Sequence, residues 1–139
     1  SIRNPDAVRP WQFVLEPILG MLSLSLHLRK NPIQFSEPWN FGPSSRKKMS
    51  VEQIVKKIVQ QWGKGKYIKK SNKKDKEYHE SKILMLNSTK AKKLLNLDSV
   101  YTNNESLFET IEWYKQYYGK NDMKEFSIKQ IQKYMNKME

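Results

Sequence analysis

The chain has 139 residues, 26 Lys and Arg against 14 Asp and Glu, and a net charge of +12. It contains no Cys and two His, which excludes a disulfide scaffold, a thiolate metal site and a histidine-rich zinc cluster. Four Trp, seven Tyr and five Phe argue against wholesale disorder, because disordered chains are poor in aromatics. The length suits one domain. The positive charge raises nucleic acid, membranes and anionic small molecules as partners. It comes mostly from Lys in a sequence also rich in Asn, Ile and Ser, a bias that codon usage alone can produce. The absence of Cys fits a cytoplasmic location. The chain begins at Ser1 rather than Met, as a processed chain or a piece of a longer one would.

In chain order, "AVRPWQF" (7–13) reads as an extended segment, since Pro10 biases Arg9 away from helical geometry. "VLEPILGMLSLSLHLRKN" (14–31) reads as a helix. Pro17 fits its first turn, Glu16 suits the positive end of its dipole, and Arg29 and Lys30 suit the other end. Pro32 stops it. Leu15, Ile18, Leu19, Met21, Leu22, Leu24, Leu26 and Leu28 surround nearly the whole circumference, so the helix is expected to be covered on all sides. The apolar run from Phe13 to Leu28 is too short and too interrupted for a membrane span, and no signal-peptide pattern accompanies it.

"EPWNFGP" (37–43) is expected as a short strand and 43–48 as a loop. Ser50 and Gln53 make a capping box for a helix over 50–63, with Val51, Ile54, Val55, Ile58, Val59 and Trp62 on one face and Gly63 at its end. "KYIK" (66–69) is a further candidate strand, and 64–81 a long lysine-rich loop. "KILML" (82–86) reads as a buried strand. A short helix follows over 88–96. A longer one spans 105–119, capped by Asn104, with Leu107, Phe108, Ile111, Tyr114 and Tyr118 on one side. Ser127 caps a last helix over 128–138, with Ile128, Ile131, Tyr134 and Met135 on one face. The expected class is α/β, mainly helical with short strands, in one unit over 1–139. So few short strands make too little sheet for a stand-alone α/β domain.

No glycine-rich dinucleotide or phosphate loop is present, and no HExxH or GxSxG. No nucleophile–base arrangement and no apolar carboxylate pair can be assembled. Seven Lys between 64 and 76 read as a solvated loop. Nucleic-acid surfaces interleave aromatics and rely on the bidentate Arg fork, whereas only Tyr67 and Tyr78 flank this run and it holds no Arg. A nucleic-acid module is therefore the weaker alternative. His27 reads as a packed histidine and His79 as a loop histidine. Asn40, between two aromatics, either satisfies its own backbone or faces a cleft. Arg9 beside Trp11 needs a partner: Asp6 or Glu16 on one reading, an anion such as a diphosphate on the other. The residues themselves do not choose.

"IRNPDAVRPWQFVLEPILG" (2–20), "WNFGP" (39–43) and "VEQIVKKIVQQWG" (51–63) resemble the C-terminal part of the CDP-glucose 4,6-dehydratases, nucleotide-sugar enzymes of the extended short-chain dehydrogenase/reductase family. The resemblance continues through "HESKILMLNSTKAKKLL" (79–95), "IEWYKQYY" (111–118) and "MKEFSIKQIQKYM" (123–135). Phe13 stands where the family usually has His. The resemblance implies a substrate-binding portion without the Rossmann core. Arg9 would contact the substrate diphosphate, Trp11 and Asn40 would share its pocket, and His79 and Glu80 would lie near the nucleotide. The complete enzyme would use NAD to oxidise the sugar at C4, lose water across C5 and C6, and return hydride to C6. The glycine-rich cofactor loop and the Tyr-x-x-x-Lys catalytic pair would lie outside this chain, as would the homodimer contact. No catalytic, cofactor-binding or metal residue is expected within it, and neither a nucleic acid nor a membrane is an expected partner.

Overall fold

The computed structural model describes residues 1–43, 48–69 and 81–138. Among these the helices, in chain order, are α1 (Leu15–Lys30), α2 (Pro32–Phe35), α3 (Val51–Trp62), α4 (Thr89–Leu95), α5 (Asn103–Tyr118) and α6 (Met123–Asn136). α1 is the spine. Its first half sends Leu15 and Leu19 against an aromatic cluster of Phe13, Tyr101 and Tyr134. Its second half sends Leu24 and Leu28 against Phe35, Ala91 and Leu95. Phe13 is a core residue here, 5.5 Å from the Tyr101 ring centroid and 6.2 Å from that of Tyr134. Burial pushes the Tyr134 phenol well above its ordinary range, and the nearby Glu16 charge adds to this.

The mainly helical expectation holds, but the strands do not. Among the described residues, pairing is confined to isolated bridges of Ile2 with Lys69 and of Val8 with both Ser50 and Ile83. The expected strand over 37–43 has no ladder partner, and those over 66–69 and 82–86 each keep one bridge. The expected burial of "KILML" is also corrected. Ile83, Leu84, Met85 and Leu86 are exposed, because Val8 engages one backbone edge and nothing described covers the side chains.

Helix ends follow local chemistry. The Ser50–Gln53 capping box is present, and Gly63 ends α3 at φ 85°, in the left-handed region. Two expected caps are corrected. α5 is capped by Thr102, which makes a box with Glu105, so Asn104 lies inside the helix. α6 starts five residues earlier than its expected first residue, because the Asp122 carboxylate accepts from the Lys124 and Glu125 N–H groups. Ser127 is therefore an interior residue, and its Oγ accepts from Trp113 Nε1 at 3.0 Å. Pro32 stops α1, as expected, and also starts α2, with Asn31 as the cap.

The α5–α6 seam is polar. Gln130 Nε2 donates to the Glu109 carbonyl at 2.8 Å and to its carboxylate at 3.0 Å. Lys133 pairs with Glu109, and Lys137 with Glu105. The buried positions are Ser106, Glu109 and Ile111 on α5, and Gln130 and Tyr134 on α6. The apolar faces expected on these helices are thus largely turned outward, with Phe108, Tyr114, Ile128, Ile131 and Met135 exposed. Among the described residues, α1 is likewise covered on one side only.

Gly20 permits a close approach of the Phe41 ring to α1, and a Cβ there would overlap Phe41 Cδ1. Gly20→Ala is expected to destabilise the chain by about 1–3 kcal/mol through overpacking, read as a lower urea midpoint. Lys137, and then the Thr102 cap, hold the Glu105 carboxyl at about 2, and Lys69 with Lys56 hold Glu52 at about 2, both from 4.5. A carboxylate depressed in the folded state contributes stability above its ordinary value and loses it as pH falls through the folded one. Stability should therefore decline from about pH 4.5 towards pH 2. Glu105→Gln should shallow that decline while lowering stability at neutral pH, as measured by urea unfolding across this range.

Candidate functional site

The N-terminal segment is threaded through the molecule by its backbone. The Ala7 carbonyl accepts from Val51 N–H and the Pro5 carbonyl from Glu52 N–H, each at 2.9 Å, so the segment satisfies two orphan donors at the start of α3. Val8 then donates to the Lys82 carbonyl at 2.8 Å and accepts from Leu84 N–H at 3.0 Å. This crossing fixes where Arg9 emerges. Its Nη1 donates to the Val8 carbonyl at 2.8 Å and to the Ser81 carbonyl at 3.1 Å. Ser81 directly follows His79 and Glu80, which lie outside the described residues.

Glu16, one of the partners expected for Arg9, accepts from Val100 N–H at 3.1 Å and Tyr101 N–H at 2.9 Å. Trp11 is anchored by its indole N–H, which donates to the buried Met49's carbonyl at 2.9 Å. Asn40 is exposed. It lies between Trp39, whose ring stacks on Phe35 and carries Lys90 4.4 Å above it, and Phe41. Gln12 Nε2 donates to the Phe41 carbonyl at 3.1 Å, which ties the Arg9–Trp11 segment to the Asn40 segment.

Four of the cavities among the described residues bear on the site, and Arg9, Trp11 and Asn40 line none of these four. A small one of about 30 Å³ lies among Gln12, Glu16, Gly20, Phe41 and Ser88, with room for about one water. One of about 310 Å³ opens between the start of α1, α5 and α6. One of about 570 Å³ lies over the Glu105–Lys137 and Glu109–Lys133 pairs, and one of about 580 Å³ is edged by Lys48, Lys57 and Gln53. Arg9, Trp11 and Asn40 are therefore not gathered in one described pocket, and His79 and Glu80 lie outside the described residues. Arg9 and Trp11 share a backbone-anchored segment, and Asn40 joins it through Gln12.

Two residues of this framework escaped the sequence reading. Gln12 stood inside the quoted "RPWQ" string without a role, and Glu16 was read as a dipole partner or as a partner of Arg9. Charge-assisted bonds from a carboxylate to backbone N–H groups far along the chain leave no local sequence signal. Among the described residues, no group of three or more His, Asp or Glu is placed to hold a metal ion. No described helix is long and apolar enough to cross a membrane.

No protein-family model matches the chain. It is 35% identical over 135 residues to CDP-glucose 4,6-dehydratase of Salmonella typhimurium, an alignment covering 97% of this chain and 37% of that relative. The chain thus spans little more than a third of the relative's length. The similarity runs through the Arg9–Trp11 segment, the Asn40 segment and the helices that carry them, and makes this chain a relative, over nearly its whole length, of a part of a CDP-glucose 4,6-dehydratase.

Proposed function

We propose that this chain is the C-terminal, nucleotide-sugar-binding part of a CDP-glucose 4,6-dehydratase. The observation that carries the reading is the similarity over 97% of its length to an enzyme of that name. On this reading the chain positions substrate and does not move hydride or protons. Arg9 binds the diphosphate by charge-assisted hydrogen bonds, for which its planar fork is suited. Its anchoring on the Val8 and Ser81 carbonyls supports that role by restricting the guanidinium before substrate arrives. Asn40 and Trp11 border the same site, and His79 and Glu80 close it near the nucleotide. Held in this way, the glucose ring meets the catalytic groups of the remaining part in attack geometry.

NAD would supply the oxidation and return of hydride in the complete enzyme. The residues of this chain do not fit that cofactor. A dinucleotide pyrophosphate needs a glycine-rich turn opening a helix N-terminus. Here Gly63 and Gly65 follow the C-terminus of α3, Gly119 follows α5, and Gly20 is inside α1. NAD and the homodimer contact are accordingly assigned to the other part, and the whole enzyme to the cytoplasm.

The chain alone is expected to yield no 4-keto product from CDP-glucose with added NAD. A full-length chimera, in which it replaces the matching segment of the Salmonella relative, is expected to yield it. Measurable turnover by the chain alone, or none by the chimera, would overturn the assignment. In the chimera, Arg9→Ala should raise KM for CDP-glucose by about 10- to 100-fold, the range for a lost charge-assisted contact. Arg9→Lys should recover part of the loss, and an unchanged KM in Arg9→Ala would remove the diphosphate role.

A further inference from the structure

The side of α1 turned away from both cores is apolar from Val14 to Leu26, and Arg29 continues the same face in the last turn. Val14 is 59% exposed, Ile18 40%, Met21 56%, Leu22 59% and Leu26 55%. Their spacing draws one continuous stripe along the helix. Glu16, the carboxylate in this span, is turned to the Val100 and Tyr101 N–H groups instead. Ser25, the polar residue on the stripe, donates its Oγ to the Leu22 carbonyl at 2.7 Å. Its hydrogen bond is thus satisfied within the helix, and burying it in a dry contact costs little. A second stripe runs along α6 through Ile128, Ile131 and Met135, all exposed.

The two stripes meet at the cavity of about 310 Å³, whose wall includes Val14 from the first and Ile131 from the second, with Phe13, Trp113 and Tyr114 between them. An apolar cavity of about 150 Å³ already takes up benzene, so this one admits a ring-bearing side chain. Its polar lining is already engaged. Thr110 Oγ1 donates to the Ser106 carbonyl, Ser127 Oγ accepts from Trp113, and Gln130 donates to Glu109. An occupant therefore needs apolar surface rather than hydrogen bonds. In a chain with 29% charged residues, the uncharged stretch of α1 from Val14 to Leu26, the Ile128, Ile131 and Met135 stripe of α6 and the apolar hollow that joins them mark an interaction surface.

We propose that the α1 and α6 stripes and the hollow between them form one docking surface for the portion of the dehydratase polypeptide that this chain lacks, with a large apolar side chain of that portion seated in the hollow. The occupant's identity rests on the functional reading above. Nearly two thirds of the relative's length lies outside the match, and in the relative that length is a partner of the right size. A second copy of the chain is disfavoured, since each copy carries +12.

The absence of Cys makes the test direct. Leu22→Cys and Met135→Cys are each placed in the isolated chain and in the chimera, and maleimide labelling at each site is timed by peptide mass. Lys92→Cys on α4 is the exposed control. Docking is expected to slow labelling at 22 and 135 by about 100-fold in the chimera, as for a site reached only by local opening, with position 92 unchanged. Labelling at 22 and 135 as fast in the chimera as in the isolated chain overturns the proposal, whether or not the chimera is active. Protection that grows with concentration in the isolated chain assigns the face to a second copy and also overturns it. An active but unprotected chimera removes the docking surface and leaves the dehydratase reading standing. A protected but inactive chimera does the reverse.

Discussion

The Glu16 carboxylate, accepting the Val100 and Tyr101 N–H groups, is the joint on which the rest of the structure depends. It fixes the start of α1 against the residues that lead into α5. The aromatic cluster of Phe13, Tyr101 and Tyr134 then closes around that joint, with Tyr101 and Tyr134 edge to face at 5.2 Å. α6 is brought in by Tyr134, and α5 by the chain that continues through the Thr102 cap. Hydrogen bonds to an ionised acceptor in a partly buried place are among the stronger polar contacts a fold can make. Here they link residues 84 or more apart in sequence.

The same geometry explains why one side of α1 is covered and the other is not. With its first turn held against 100–101, α1 presents Leu15, Leu19, Leu24 and Leu28 to the two cores. Val14, Ile18, Met21, Leu22 and Leu26 are thereby turned outward. The apolar content of this chain exceeds what its own packing uses. The exposed 83–86 segment and the outward faces of α5 and α6 make the same point at other places. A chain of this composition is suited to bury surface against a larger neighbour rather than to stand alone.

The side chains of the "RPWQFVLEP" stretch divide by what they touch. Trp11, Phe13 and Glu16 are spent on structure: an indole bond to Met49, the aromatic core, and the joint to 100–101. Arg9 is oriented by carbonyls at the crossing of the N-terminal segment with 81–84.

The sequence by itself determined the helices whose signals are local. The Ser50–Gln53 box, Gly63, Pro17 and Pro32 were legible because capping and φ restriction act within a few residues. It also carried the kinship, through strings such as "RPWQ" and "WNFGP". Only the tertiary structure decided which faces are buried. Helical spacing on α5 and α6 pointed to apolar cores, yet the buried seam is Glu109 with Gln130, because a polar network made complete by Lys133 competes with apolar burial. It also decided that Thr102 and Asp122, rather than Asn104 and Ser127, start those helices, since several candidate caps stood within reach and Ser127 was drawn to Trp113. The strand expected over 82–86 failed for the same reason. Strand formation needs a partner edge distant in sequence, and one-dimensional periodicity does not say whether that edge exists.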